Sequence, residues 1–201
     1  MKKITNKSWV LKNFIAFAIS YSLYSLIAHG FTGGHDYELN LMQIFAHTIA
    51  LSLIGLIIGS FQYSQLSKLY NIKKTNILLV PLFFIIAFWT GYYLFGPPLD
   101  IVLGFPILGS VLWVFNKKIK DLNVKYRILA YLSYFIGAMT GGFLLTIIDK
   151  QFDIINRMQD SIALHTIMWL ILAIPTAIIG GFLSGISIRK SLKNTEYNTR
   201  L

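Results

Sequence analysis

The chain has 201 residues, 55% of them hydrophobic and 13% charged, with a mean hydropathy of +0.62, a balance that excludes an ordinary soluble domain. It contains no cysteine, which excludes disulfides, thiolate metal sites, iron–sulfur clusters and cysteine nucleophiles. The formal charge of +10 would point to nucleic acid in a soluble protein, but here it sits in short segments between apolar runs, and no nucleic-acid partner is expected.

Apolar runs cover about 13–30, 41–62, 76–95, 99–116, 127–148 and 163–187. A helix needs roughly 20 apolar residues to cross a bilayer, so the runs predict an all-α membrane protein. Residues 1–201 form a single integral membrane domain of six transmembrane helices with the lipid bilayer as solvent. The first run has no small-residue cleavage site of the kind that ends a signal peptide, and it reads as a retained span. The fourth run is the shortest and contains Pro106, so a re-entrant segment is its alternative.

Charge decides between them. With the N-terminus inside, the inner segments hold Lys2, Lys3, Lys7 and Lys12, then Lys68, Lys73 and Lys74. They also hold Lys117, Lys118, Lys120, Lys125 and Arg127, and finally Arg189, Lys190, Lys193 and Arg200. Only Lys150 and Arg157 fall outside, together with Asp36, Glu38, Asp100, Asp149, Asp153 and Asp160. This positive-inside pattern predicts six crossings of the inner (cytoplasmic) membrane of a cell, with both termini cytoplasmic. No Asp, Glu, Lys or Arg lies within an apolar core, which removes the mid-membrane charge that proton pumps, voltage sensors and many ion-coupled carriers need.

The ends of spans two, four and six look alike: Ile57-Ile58-Gly59-Ser60, Ile107-Leu108-Gly109-Ser110 and Ile178-Ile179-Gly180-Gly181. Spans two and six also share a His-Thr-Ile start at His47 and His165, which suggests three helical-hairpin repeats. In the loop 151–162, Phe152, Ile155, Met158 and Ile162 share one helical face, and a short interfacial helix on the outer side is expected there.

Gly55 and Gly59, Gly137 and Gly141, and Gly181 and Gly185 are Gly-x-x-x-Gly pairs, the spacing that lets two helices approach closely in lipid. They serve packing within the chain or a homo-oligomer contact. Pro81, Pro106 and Pro175 lie inside spans, where proline removes a backbone donor and kinks a helix. His29, His35, His47 and His165 all fall on the outer side near acidic residues, which makes them candidate metal or haem ligands, with interfacial packing as the other reading. His47 and Gln43, four residues apart on one face, are the candidates for lining a path; Gln62 and Gln65 read as solvated at the cytoplasmic side. Gly-x-Ser-x-Gly, His-Glu-x-x-His and a phosphate-cradling loop before a lysine are all missing, and no enzyme is expected.

The stretch Gly55-Leu56-Ile57-Ile58-Gly59-Ser60-Phe61-Gln62-Tyr63 resembles the helix ends of small bacterial multi-pass membrane proteins that carry Gly-x-x-x-Gly-x-x-Gln-Trp, with Tyr63 in place of the tryptophan. The resemblance implies a hairpin repeat and no particular activity. Three functional expectations follow from the residues. The first is a channel- or transporter-like bundle that passes a small solute or ion. The second is an accessory subunit acting through a partner or on the membrane, with the basic loops 63–75 and 117–127 as docking sites for a cytoplasmic protein. The third is an outer-face metal or haem protein.

Overall fold

The computed structural model describes residues 5–32, 40–70, 72–95, 117, 124–157 and 161–198. The helices are α1 (Asn6–Thr32), α2 (Leu41–Leu66), α3 (Leu79–Phe95), α4 (Val124–Phe152), the single turn α5 (Ile154–Arg157) and α6 (Ile162–Asn198). A 3-10 turn, Lys74–Leu78, leads into α3, and no strand occurs among the described residues. Five helical stretches are long and apolar enough to cross a membrane. They correspond to five of the predicted spans. The fourth predicted span, 99–116, with Pro106 and Gly109, lies outside the described residues, as does the basic loop 117–127 apart from Lys117 and its last residues.

α1, α2, α4 and α6 overrun the apolar runs that announce them, whereas α3 ends with its run at Phe95. α1 begins at Asn6 rather than near Asn13, because Lys7 is exposed and Lys12 only half-buried, so both ammonium groups can leave the apolar surface without ending the helix. α2 continues to Leu66, giving 26 residues and a length of about 39 Å at 1.5 Å per residue. Its start is sealed by a capping box: Gln43 N–H donates to Asn40 Oδ1 and Asn40 N–H donates to Gln43 Oε1, at 2.9 and 2.8 Å. Gln43 thus closes the cap that starts this helix.

In space the helices run α3, α2, α1, α6, α4, with α1 at the centre. Side-chain register shows every neighbouring pair to be antiparallel. Asn13 meets Gln62 and Tyr24 meets His47 across α1 and α2, while Trp9 meets Ser184 and Ser25 meets His165 across α1 and α6. One end of the bundle thus gathers Asn6, Gln62 and Ser187 beside the basic segments, and the other gathers His29, His47 and His165. These are called the basic end and the histidine end below.

The polarity of the bundle is inverted relative to a water-soluble one. Asn13, Ser20, Ser25, His47, Gln62, Ser133, His165, Thr176 and Ser184 are buried, while Leu11, Ile19 and Leu26 of α1 and Ile128, Leu132, Ile136 and Phe143 of α4 are exposed at helical spacing. Water would reverse that arrangement; a hydrocarbon solvent favours it, since polar groups then find partners only inside.

Each glycine pair is occupied within the chain. A methyl at Gly55 would stand 2.5 Å from Pro81 Cα, one at Gly137 2.8 Å from Thr176 Cα, and one at Gly141 2.7 Å from the Leu172 carbonyl oxygen. Gly181 faces Asn13 and Val10, and Gly185 faces Asn6 and Trp9. Of the two readings of these pairs, packing within the chain is the one these contacts show: α2 with α3, α4 with α6, and α6 with α1. Pro81 sits in the first turn of α3, where its missing N–H has no helical partner to lose, so it starts that helix instead of kinking it. Pro175 is interior to α6, at the contact with Gly137.

The connection between α4 and α6, at the histidine end, differs from its periodicity. α4 runs on to Phe152, and Asp153 then takes φ 51°, a left-handed turn in which Asp149 Oδ1 accepts the Ile155 N–H at 2.7 Å. Phe152 closes α4 and is exposed, whereas Ile155 lies past the Asp153 turn in α5, whose buried residue is Ile154, so Phe152 and Ile155 of the expected stripe do not share one helix. Met158 lies outside the described residues.

The close crossings give a contrast to measure. Gly55→Leu is expected to lower stability in detergent by about 2 kcal/mol or more through overpacking against Pro81. Gly30→Ala, at a site with nothing within 4 Å, should leave it within about 0.5 kcal/mol of wild type. Equal unfolding midpoints for the two variants would rule out the tight α2–α3 contact.

Candidate functional site

The buried face of α1 carries two polar clusters joined by aromatic rings. At the basic end, Asn13 is the shared acceptor. Tyr134 O–H of α4 donates to Asn13 Oδ1 at 2.8 Å, and Gln62 Nε2 of α2 donates to the same oxygen at 2.9 Å and to the Tyr134 hydroxyl at 3.2 Å. Asn13 Nδ2 donates back to the Trp9 carbonyl at 2.9 Å, and Trp9 Nε1 donates to Ser184 Oγ of α6 at 2.9 Å. Four helices thus meet at one side chain. Tyr134 reaches it because Gly180 leaves room: a methyl there would stand 2.5 Å from the tyrosine ring.

Gln62 and Gln65 are therefore not solvated. Gln62 is 2% exposed and Gln65 3%. The reason is the extra turn of α2, which carries its end past both residues before the chain turns at Ser67.

At the histidine end, Tyr24 hydroxyl lies 2.9 Å from His47 Nδ1. Ser25, the next residue, serves His165 of α6. Trp169 Nε1 can only donate, and it lies 3.2 Å from His165 Nε2, so that nitrogen is the acceptor. In the neutral ring the proton is then on Nδ1 and is donated to Ser25 Oγ at 2.8 Å; Ser25 in turn donates to Thr166 Oγ1 at 2.8 Å, and Thr166 to the Ile162 carbonyl at 2.8 Å. The two His-Thr-Ile starts thus flank α1 and bond to its consecutive residues 24 and 25.

Rings fill the space between the clusters. Tyr134 stacks on Phe17 with centroids 6.0 Å apart, Phe17 on Tyr21 at 6.1 Å, and Tyr21 and Tyr24 approach Trp169 at 5.8 and 4.8 Å. His47 continues the row to Phe88 of α3 at 5.9 Å. The interior along α1 is a packed column in this conformation.

Of the histidines singled out as metal or haem ligands, the structure brings two together. His29 and His165 have ring centroids 5.5 Å apart, but both nitrogens of His165 are engaged, and His47 lies on the far side of Tyr24 and Trp169. His35 lies outside the described residues, and among the described residues no three His, Asp or Glu side chains gather as a metal-holding group.

The residues that organise both clusters, Asn13, Tyr134, Trp9, Ser184, Tyr24, Ser25 and Trp169, are not marked by any sequence motif. The signal that finds them is position: they are the polar members of helices whose charged residues have all been moved to the ends.

As the acceptor of two side-chain donors, Asn13 should matter most. Asn13→Leu is expected to lower stability by about 1–2 kcal/mol, and Tyr134→Phe by about 0.5 kcal/mol, in reversible unfolding from micelles. Equal losses would mean that Asn13 is not the shared partner. Comparison of the chain with protein-family models, curated proteins and solved structures gives no match.

Proposed function

We propose that this chain is a non-enzymatic multi-pass membrane protein that passes a small uncharged solute along the buried face of α1, with both termini in the cytoplasm. The supporting observation is a row of unmatched oxygens. Asn6, Asn13 and Ser20 recur at seven-residue spacing, about 10 Å apart along the helix. Asn6 Oδ1, Gln62 Oε1 beside Asn13, and Ser20 Oγ are each buried without a hydrogen-bond partner among the described residues. Above them stand Tyr24 with His47 and Ser25 with His165. Buried polar groups that serve only to join helices are normally paired. A row of unpaired ones offers a solute successive partners.

Among the described residues the buried polar set contains no Asp, Glu, Lys or Arg, so this face of α1 provides nothing to offset the cost of taking a full charge into a low dielectric. The stacked rings of Phe17, Tyr21 and Tyr134 close the route, and passage requires those side chains to move aside. This favours a gated, slow conductor over an open pore.

Proteoliposomes are expected to take up urea and glycerol faster than protein-free vesicles, by light scattering, without gaining potassium conductance. No acceleration of water, urea or glycerol would sink the reading. Orientation can be tested separately because the chain has no native cysteine. A membrane-impermeant maleimide on intact cells should label Asn156→Cys and spare Lys74→Cys and Lys190→Cys; the reverse pattern would invert the topology.

A further inference from the structure

The basic-end cluster can be balanced hydrogen by hydrogen. Trp9 Nε1 is spent on Ser184, and the Ser184 hydroxyl hydrogen is shared between the Gly181 carbonyl, at 3.3 Å, and the Tyr134 oxygen. The Asn13 amide orientation is set by the Trp9 carbonyl, which requires Nδ2 on that side and Oδ1 toward Gln62. That in turn sets Gln62: turning its amide over would place Oε1 against Asn13 Oδ1, oxygen against oxygen, with no hydrogen between them. The Tyr134 hydroxyl proton goes to Asn13. After these assignments one oxygen is left with no hydrogen, Gln62 Oε1, on a side chain 2% exposed, and one hydrogen of Asn13 Nδ2 is left beside the one given to Trp9. Gln62 Oε1 is the atom of the cluster with no partner at all.

Resting on the transport reading, we propose that Gln62 is the station that selects the solute: its Oε1 takes small neutral molecules that donate an N–H or O–H hydrogen bond, such as amides and polyols. A bare cation is poorly served, because it needs several free oxygens at once and Asn13 Oδ1, the neighbouring one, already holds two hydrogens. Neutral donors are the chemical class that the leftover group matches, and Tyr134 and Asn13 act as positioning residues that aim it.

The test is concentration-dependent urea and glycerol influx into proteoliposomes of the full chain, comparing wild type, Gln62→Met and Gln62→Asn. Loss of one hydrogen bond should raise the half-saturating concentration about tenfold in Gln62→Met. Maximal flux should be retained, and Gln62→Asn, which keeps the amide but withdraws it by one methylene, should fall between. A structural defect would instead lower maximal flux and leave half-saturation unchanged, and that result would overturn the station. Gln62→Asn indistinguishable from wild type would do the same if Gln62→Met fails to fold. Wild-type vesicles no more permeable than empty ones would remove the transport reading itself, a separate outcome from normal wild-type flux that Gln62→Met leaves unaltered.

Discussion

Burying a carboxamide in an apolar bundle is costly unless its oxygen and its amide group both find partners, and the placing of four helices follows from meeting that demand at Asn13. Its oxygen draws α2 and α4 together through Gln62 and Tyr134, and its amide group ties to the turn of α1 that also carries Trp9, whose indole holds α6. Apolar packing in lipid gives little preference for one neighbour over another, because the hydrocarbon outside is as good a solvent for leucine as the bundle is. Directional bonds supply the preference, each worth only about 0.6 kcal/mol on average. Their number at one point makes them decisive.

Such bonds require close backbones, and the glycines provide them. Gly180 lets the Tyr134 ring lie flat enough for its hydroxyl to reach Asn13, and Gly181 sits against Asn13 itself. Small residues and polar groups therefore work as one device on α6. The same helix uses Trp169 and His165 at the other end, where the tryptophan N–H fixes the imidazole tautomer and so determines which way the Ser25–Thr166 chain runs. An imidazole held in this manner is a structural hydrogen-bond relay, which is why a histidine-rich end need not be a ligand set.

The helices themselves were legible because apolar runs of this length have few alternatives, and the glycine spacing correctly marked helix crossings. The ends were read too short for a definable reason: charge was taken as the boundary, whereas Lys7 and Lys12 ride on the outside of a helix that continues beneath them. At the end of α2 the boundary was the apolar run itself, which closes on Gln62 and makes it look like a wet residue; one further turn of helix puts it at the centre of a four-helix junction. Gln43 failed in the opposite direction, since helical spacing to His47 says nothing about capping, which depends on Asn40 just outside the run. Asn13 and Tyr134 had no motif because their partnership joins residues 121 positions apart, which only the fold can reveal.

The central place of α1 also orders the protein's assembly during synthesis. α1 is made before the helices that flank it, and α2 follows soonest, since Tyr24 and His47 are 23 residues apart and Asn13 and Gln62 are 49 apart. The opposite flank has to wait. Ser25 meets His165 across 140 residues and Trp9 meets Ser184 across 175, so those groups remain without their final partners until α6 is made. While the residues between are being synthesised, α1 is therefore held by a hairpin on one side and unfinished on the other. α6 is the helix that completes these contacts.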